Sequence, residues 1–71
     1  MLPKTLKLKG MNAYKCVDTQ AYINAKYRQL KEFGYSTLTI DEVQDQLECV
    51  YWGRPTTIIG KFMEDEVIFG E

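Results

Sequence analysis

Residues 33–43, Phe33-Gly34-Tyr35-Ser36-Thr37-Leu38-Thr39-Ile40-Asp41-Glu42-Val43, read as the end of one helix, a turn, and the start of another. Gly34 suits the position just past a helix C-terminus, because it enters left-handed backbone without a Cβ clash. Thr39, with Glu42 three residues on, has the pattern of a capping box. The hydroxyl accepts from the Glu42 N–H, and the carboxylate reaches back to the Thr39 N–H. Asp41 and Glu42 stand where the dipole of the new helix is positive.

Working outward, the segment before this corner predicts a helix over about 18–33. Asp18 or Thr19 can cap it. Ile23, Tyr27, Leu30 and Phe33 recur at helical spacing, while Lys26, Arg28, Gln29, Lys31 and Glu32 lie off that stripe. The segment after the corner predicts a helix over about 40–51. It buries Val43, Leu47 and Val50 and turns Asp41, Glu42, Asp45 and Glu48 to water. Trp52 follows directly, as an aromatic closing a small core does. Gly53-Arg54-Pro55-Thr56-Thr57 is a break, and a third helix is expected over about 56–67, burying Ile59, Phe62 and Met63. The competing reading of this last stretch is a β-hairpin, with Thr57-Ile58-Ile59 turning back as Val67-Ile68-Phe69.

At the other end, Leu6-Lys7-Leu8-Lys9 alternates with period two, as a half-exposed strand does. A lone strand is not stable, so residues 1–17 read as an extended arm, with Val67-Ile68-Phe69 as the segment available to pair with it. The expected fold is therefore all-α: a three-helix domain over 18–71 with an N-terminal arm over 1–17. The alternative is α+β with a small terminal hairpin. The expected core is Ile23, Tyr27, Leu30, Phe33, Val43, Leu47, Val50, Trp52, Ile59, Phe62 and Met63.

Seventy-one residues make one domain, and so short a chain is marginal unless well packed or assembled with a partner. A 45% hydrophobic and 27% charged composition is that of a globular protein. No apolar run is long enough for a membrane span, and Met1-Leu2-Pro3-Lys4 lacks the apolar core of a signal peptide. A cytoplasmic location is expected. Cys16 and Cys49 belong to no C-x-x-C pair, and there is no histidine, so neither a metal site nor a cofactor is expected. Both cysteines read as small, partly buried hydrophobes.

Enzymatic chemistry is hard to assemble from this chain. Without histidine, the usual base for a serine or cysteine nucleophile is missing. The acidic clusters at Asp41/Glu42, Asp45/Glu48 and Glu64-Asp65-Glu66 fall on expected solvent faces and lack calcium-loop spacing. No phosphate-binding glycine loop is present. The expected activity is binding, not catalysis.

Two kinds of partner suit the residues. Residues 1–31 hold seven Lys or Arg against Asp18 alone, whereas residues 32–71 hold Arg54 and Lys61 against nine acids. A basic half can mark a nucleic-acid face. Tyr14, Lys15, Tyr22, Lys26 and Arg28 interleave aromatics with cations, as stacking plus phosphate contact requires. Arg54 and Lys61, near the start of the third helix, fit the outline of a helix-turn-helix. Equally, nine aromatic residues exceed what three short helices can hide. Tyr14, Tyr51, Trp52 and Phe69 are candidates for a patch that meets a protein partner or a second copy in a homodimer.

Gly34-Tyr35, Leu38-Thr39, Asp41-Glu42-Val43, Leu47 and Trp52 resemble, over residues 30–52, the small Firmicute post-transcriptional regulators associated with competence. Gln44 stands where that pattern has a tryptophan, and Gly53-Arg54-Pro55 where it has a basic run. Phage-borne helix-turn-helix modulators look similar at this level. The resemblance implies a non-enzymatic bacterial or phage regulator of gene expression that acts on other macromolecules. The leading expectation is regulation through protein–protein binding; the alternative is a nucleic-acid-binding module.

Overall fold

The Leu–Lys alternation at the N-terminus forms the middle strand of a sheet. In a computed structural model of the chain, which describes residues 2–10 and 14–69, β1 (Thr5–Lys9) pairs antiparallel with β2 (Tyr14–Asp18) on one side. On its other side it pairs antiparallel with β3 (Val67–Ile68), giving the order β2-β1-β3. Three helices lie between β2 and β3: α1 (Thr19–Glu32), α2 (Ile40–Trp52) and α3 (Ile58–Glu66). The fold is α+β. This corrects the all-α expectation: the helices fall close to the expected spans, but the segment read as an arm is built into a three-stranded sheet. The lone-strand objection fails because β1 has two partners. One is the neighbouring Tyr14–Asp18 segment, which carries no clean alternation of its own. The other is the Val67-Ile68 segment at the far end of the chain. Met1 and residues 11–13 of the expected arm, and residues 70–71 of the expected helical domain, lie outside the described residues.

Strand pleating sorts β1 into two faces. Leu6 stands opposite Val17, and Leu8 opposite Val67, on the face covered by the helices. Lys7 sits between Cys16 and Ile68 on the opposite face. Leu6, Tyr22, Ile23, Leu30, Leu38, Val43, Leu47, Ile59, Met63 and Val67 make one buried cluster, with Tyr27 and Val50 half-buried beside it. Three expected core aromatics are instead exposed: Phe33 by 73%, Trp52 by 52% and Phe62 by 44%. Helical periodicity explains two of them. Trp52 is five residues past Leu47, on the far side of α2 from its buried stripe, and Phe62 is a step of about 100° around α3 from Met63. Phe33 is the C-cap residue of α1, beyond the packed part of the helix.

The corners follow the capping grammar of the sequence except that the capping box is half made: among the described residues the Glu42 carboxylate does not return a bond to the Thr39 N–H. Asp18 caps α1 by accepting from the Ala21 N–H at 3.0 Å, and the Thr39 hydroxyl caps α2 by accepting from the Glu42 N–H at 3.2 Å. Gly34 has φ +119° and Gly53 φ +73°. Each is followed by an N–H bonded five residues back, Tyr35 to the Leu30 carbonyl at 3.1 Å and Arg54 to the Cys49 carbonyl at 2.8 Å. That is the Schellman closure.

The start of α3 is held differently, from outside. Gln46, buried on α2, accepts from the Thr57 N–H at 2.9 Å and from the Thr57 hydroxyl at 3.1 Å. A Cβ on Gly60 would lie 2.8 Å from that same Gln46 oxygen and closer still to Thr56. The glycine is what lets α2 and α3 approach.

Candidate protein-binding cleft

Because Gly53 ends α2 abruptly, the last two residues of that helix project from the body of the domain. Tyr51 is 37% exposed and Trp52 52%. The Tyr51 ring meets Trp52 edge to face, with centroids 4.8 Å apart, and meets Phe69, just past β3, in the same way at 4.9 Å. Such perpendicular contacts place the positive edge of one ring on the negative face of the next, and they fix the rings relative to one another. The trio borders a cleft of about 550 Å³ whose other walls are Pro3, Thr5, Leu6, Lys7, Cys16 and Ile68. Cys16, Lys7 and Ile68 are the cross-strand row on the sheet face away from the helices. The cleft thus joins the open face of the sheet to the end of α2, and strand β3 carries Phe69 into it.

This geometry unites three of the four residues expected in a protein-binding patch. Tyr51, Trp52 and Phe69 come together, whereas Tyr14, 63% exposed and opposite Lys9, is outside the cleft. Sequence reading missed Lys7, Cys16 and Ile68, whose only signal was the period-two alternation and the pairing it permits. Cys16 is exposed and Cys49 half-buried, and both are free thiols. For Cys16 the expectation of partial burial does not hold, because it lies on the uncovered sheet face.

The residues considered for nucleic acid are scattered. Lys15, Arg28, Arg54 and Lys61 are exposed on β2, α1, the α2–α3 turn and α3 respectively. Tyr22 and Lys26 are together, but inside. The Lys26 ammonium lies 2.5 Å from a Glu66 carboxylate oxygen, with only 9% of its side chain exposed. It also donates to the Gln29 side-chain oxygen at 2.7 Å. The Tyr22 hydroxyl donates to the same Glu66 oxygen at 2.8 Å. Burial, and then the Glu66 carboxylate, push the Tyr22 hydroxyl well above its ordinary pKa, so it stays a donor. Lys26 and Tyr22 therefore clamp α1 to the end of α3 and are not presented to a phosphate. The outer face of α3 carries Ile58, Phe62, Glu64 and Asp65 beside Lys61, an apolar and acidic surface that repels a nucleic-acid backbone.

Among the described residues no helix is long and apolar enough to cross a membrane. Nor do three or more His, Cys, Asp or Glu side chains converge among them as a metal site. No protein-family model, curated protein or solved structure matches the chain. What the fold and the cleft define is a small α+β domain with an aromatic-walled groove at the edge of its sheet.

Proposed function

We propose that this protein is a small non-enzymatic regulator of gene expression that works by binding another protein, and that the partner docks in the cleft of Tyr51, Trp52 and Phe69. The observation that carries this is the exposure of Trp52, the chain's one tryptophan, by 52% beside two ring partners held in fixed orientation. Tryptophan and tyrosine seated in a pocket are the side chains that most often dominate binding energy at protein interfaces. Rings already immobilised lose little further freedom on binding. The regulatory part of the reading is supported by the resemblance over residues 30–52, and the binding part also by the lack of histidine.

The test is recovery of partners from nuclease-treated lysate on immobilised protein, read by mass spectrometry. Proteins retained by the wild type and lost with Trp52→Ala are expected. A retained set that does not change with Trp52→Ala, or retention that disappears with nuclease, contradicts the reading.

Nucleic-acid binding is favoured by one observation: Lys7 shares the cleft with the three aromatics. Single strands are held by base stacking on aromatic rings beside cations. That reading predicts oligonucleotide affinity that falls with salt and with Lys7→Gln, and Trp52 emission that shifts on adding a single-stranded oligonucleotide.

A further inference from the structure

A second apolar surface lies away from the cleft, between α1 and α3. Both helices pack on α2 or the sheet, and they are bridged to each other through Tyr22, Lys26 and Glu66. Next to that bridge is a groove of about 290 Å³ with Leu30, Phe33, Phe62 and Asp65 in its lining. Phe33 and Phe62 are 73% and 44% exposed, and Ile58, one turn before Phe62, is 60% exposed. Three large apolar side chains so close together, on so small a domain, form a surface that water disfavours.

The charges beside them are arranged in opposite senses on the two helices. Glu32, the last residue of α1, precedes Phe33, and Lys61 of α3 precedes Phe62; each charge is next in sequence to a groove residue and outside the groove lining itself. Both are exposed, and among the described residues neither is in a salt bridge. Gln29 accepts from Lys26 through its oxygen, which leaves its amide N–H groups to donate, and Asp65 lines the groove as an acceptor.

We propose that this groove is a self-association face, occupied by the same groove of a second copy related by a two-fold axis running along it. That rotation lays α1 of one copy over α3 of the other, antiparallel. It sets Phe33 on Phe62 of the second copy, Glu32 against Lys61, and the Gln29 amide against Asp65, each contact occurring twice. An isologous interface requires a patch that is its own complement, and an acid on one helix with a base on the other meets that requirement. A two-fold across the groove instead sets α1 on α1 and α3 on α3, which leaves Glu32 and Lys61 apart.

Sedimentation velocity from about 1 to about 200 μM, the range in which a small interface associates, tests this. The wild type is expected to pass from the 8.3 kDa chain mass to twice that mass. Phe33→Ser is expected to stay at the chain mass, with an unchanged circular dichroism spectrum because the side chain is outside the core. Glu32→Lys and Lys61→Glu are each expected to weaken the dimer about tenfold, and the double variant to restore it, since like charges meet in the singles and opposite charges in the double. Trp52→Ala is expected to dimerise as the wild type does, so loss of partner binding and loss of self-association are told apart. A chain that stays at 8.3 kDa over the whole range, a dimer indifferent to Phe33→Ser, or a double variant no better than the singles overturns the proposal.

Discussion

Tyr22 and Lys26 show how one carboxylate organises two buried polar side chains. Glu66 ends α3 immediately before β3, so the bonds it receives fasten the last strand to α1. The Tyr22 hydroxyl makes a testable contribution. Its folded-state pKa is raised, so its share of stability is complete below the ordinary tyrosine value of about 10 and is lost as pH rises above it. In the unfolded chain the phenol ionises there, while in the folded protein it keeps its proton. Urea midpoints measured between pH 9 and pH 11 are expected to fall more steeply for the wild type than for Tyr22→Phe. The extra slope approaches about 1.4 kcal/mol per pH unit above the unfolded value. Equal slopes in the two proteins would show that Tyr22 ionises alike in both states. Below pH 9, Tyr22→Phe is expected to cost about 1 kcal/mol, the worth of the lost bond to Glu66.

At the scale of elements, the helices and the pairing of β1 with the Val67-Ile68 segment were legible, and strand β2 was not. Glycines 34 and 53 and the caps at Asp18 and Thr39 are local signals, and each sets a helix end where it was expected. The sheet also depends on a pairing between Leu6 and Val17, and the Tyr14–Asp18 segment announces it by no alternation of its own. Trp52 illustrates the same limit for the site. Its type and place at a helix end suggested core, but the core is decided by which face of α2 meets α1 and α3, and Trp52 is on the other one. Gln46 was read as neither core nor cap; its role depends on the approach of α3. The α2–α3 contact is where the elements are least tolerant. Gly60→Ala adds a Cβ against Thr56 and the Gln46 oxygen. It is expected to cost about 1–3 kcal/mol in chemical denaturation despite the better helix propensity of alanine. Gly60→Ala as stable as the wild type would mean that α2 and α3 are not so closely apposed.

For the whole molecule, the consequence of the correction is that the N-terminal segment belongs to the core. Leu6 is 3% exposed, so Leu6→Ala is expected to cost about 2–5 kcal/mol in thermal or urea unfolding, a large share of what so small a domain has. A dispensable arm would lose almost nothing. The opposed charges of the two halves of the chain meet directly at Lys26 and Glu66, while most of the rest remain exposed. The cleft itself exists only because β1 lies beside β3: that pairing sets Lys7 next to Ile68 and carries Phe69 to Tyr51. Proton–proton contacts in a nuclear Overhauser spectrum of the free protein test this most directly. Cross-strand contacts from Lys7 to Ile68 and from Leu8 to Val67, together with ring contacts between Phe69 and Tyr51, are the predicted result. A spectrum in which residues 5–9 contact neither β3 nor the helices, and in which the Phe69 ring is remote from Tyr51, would contradict the account.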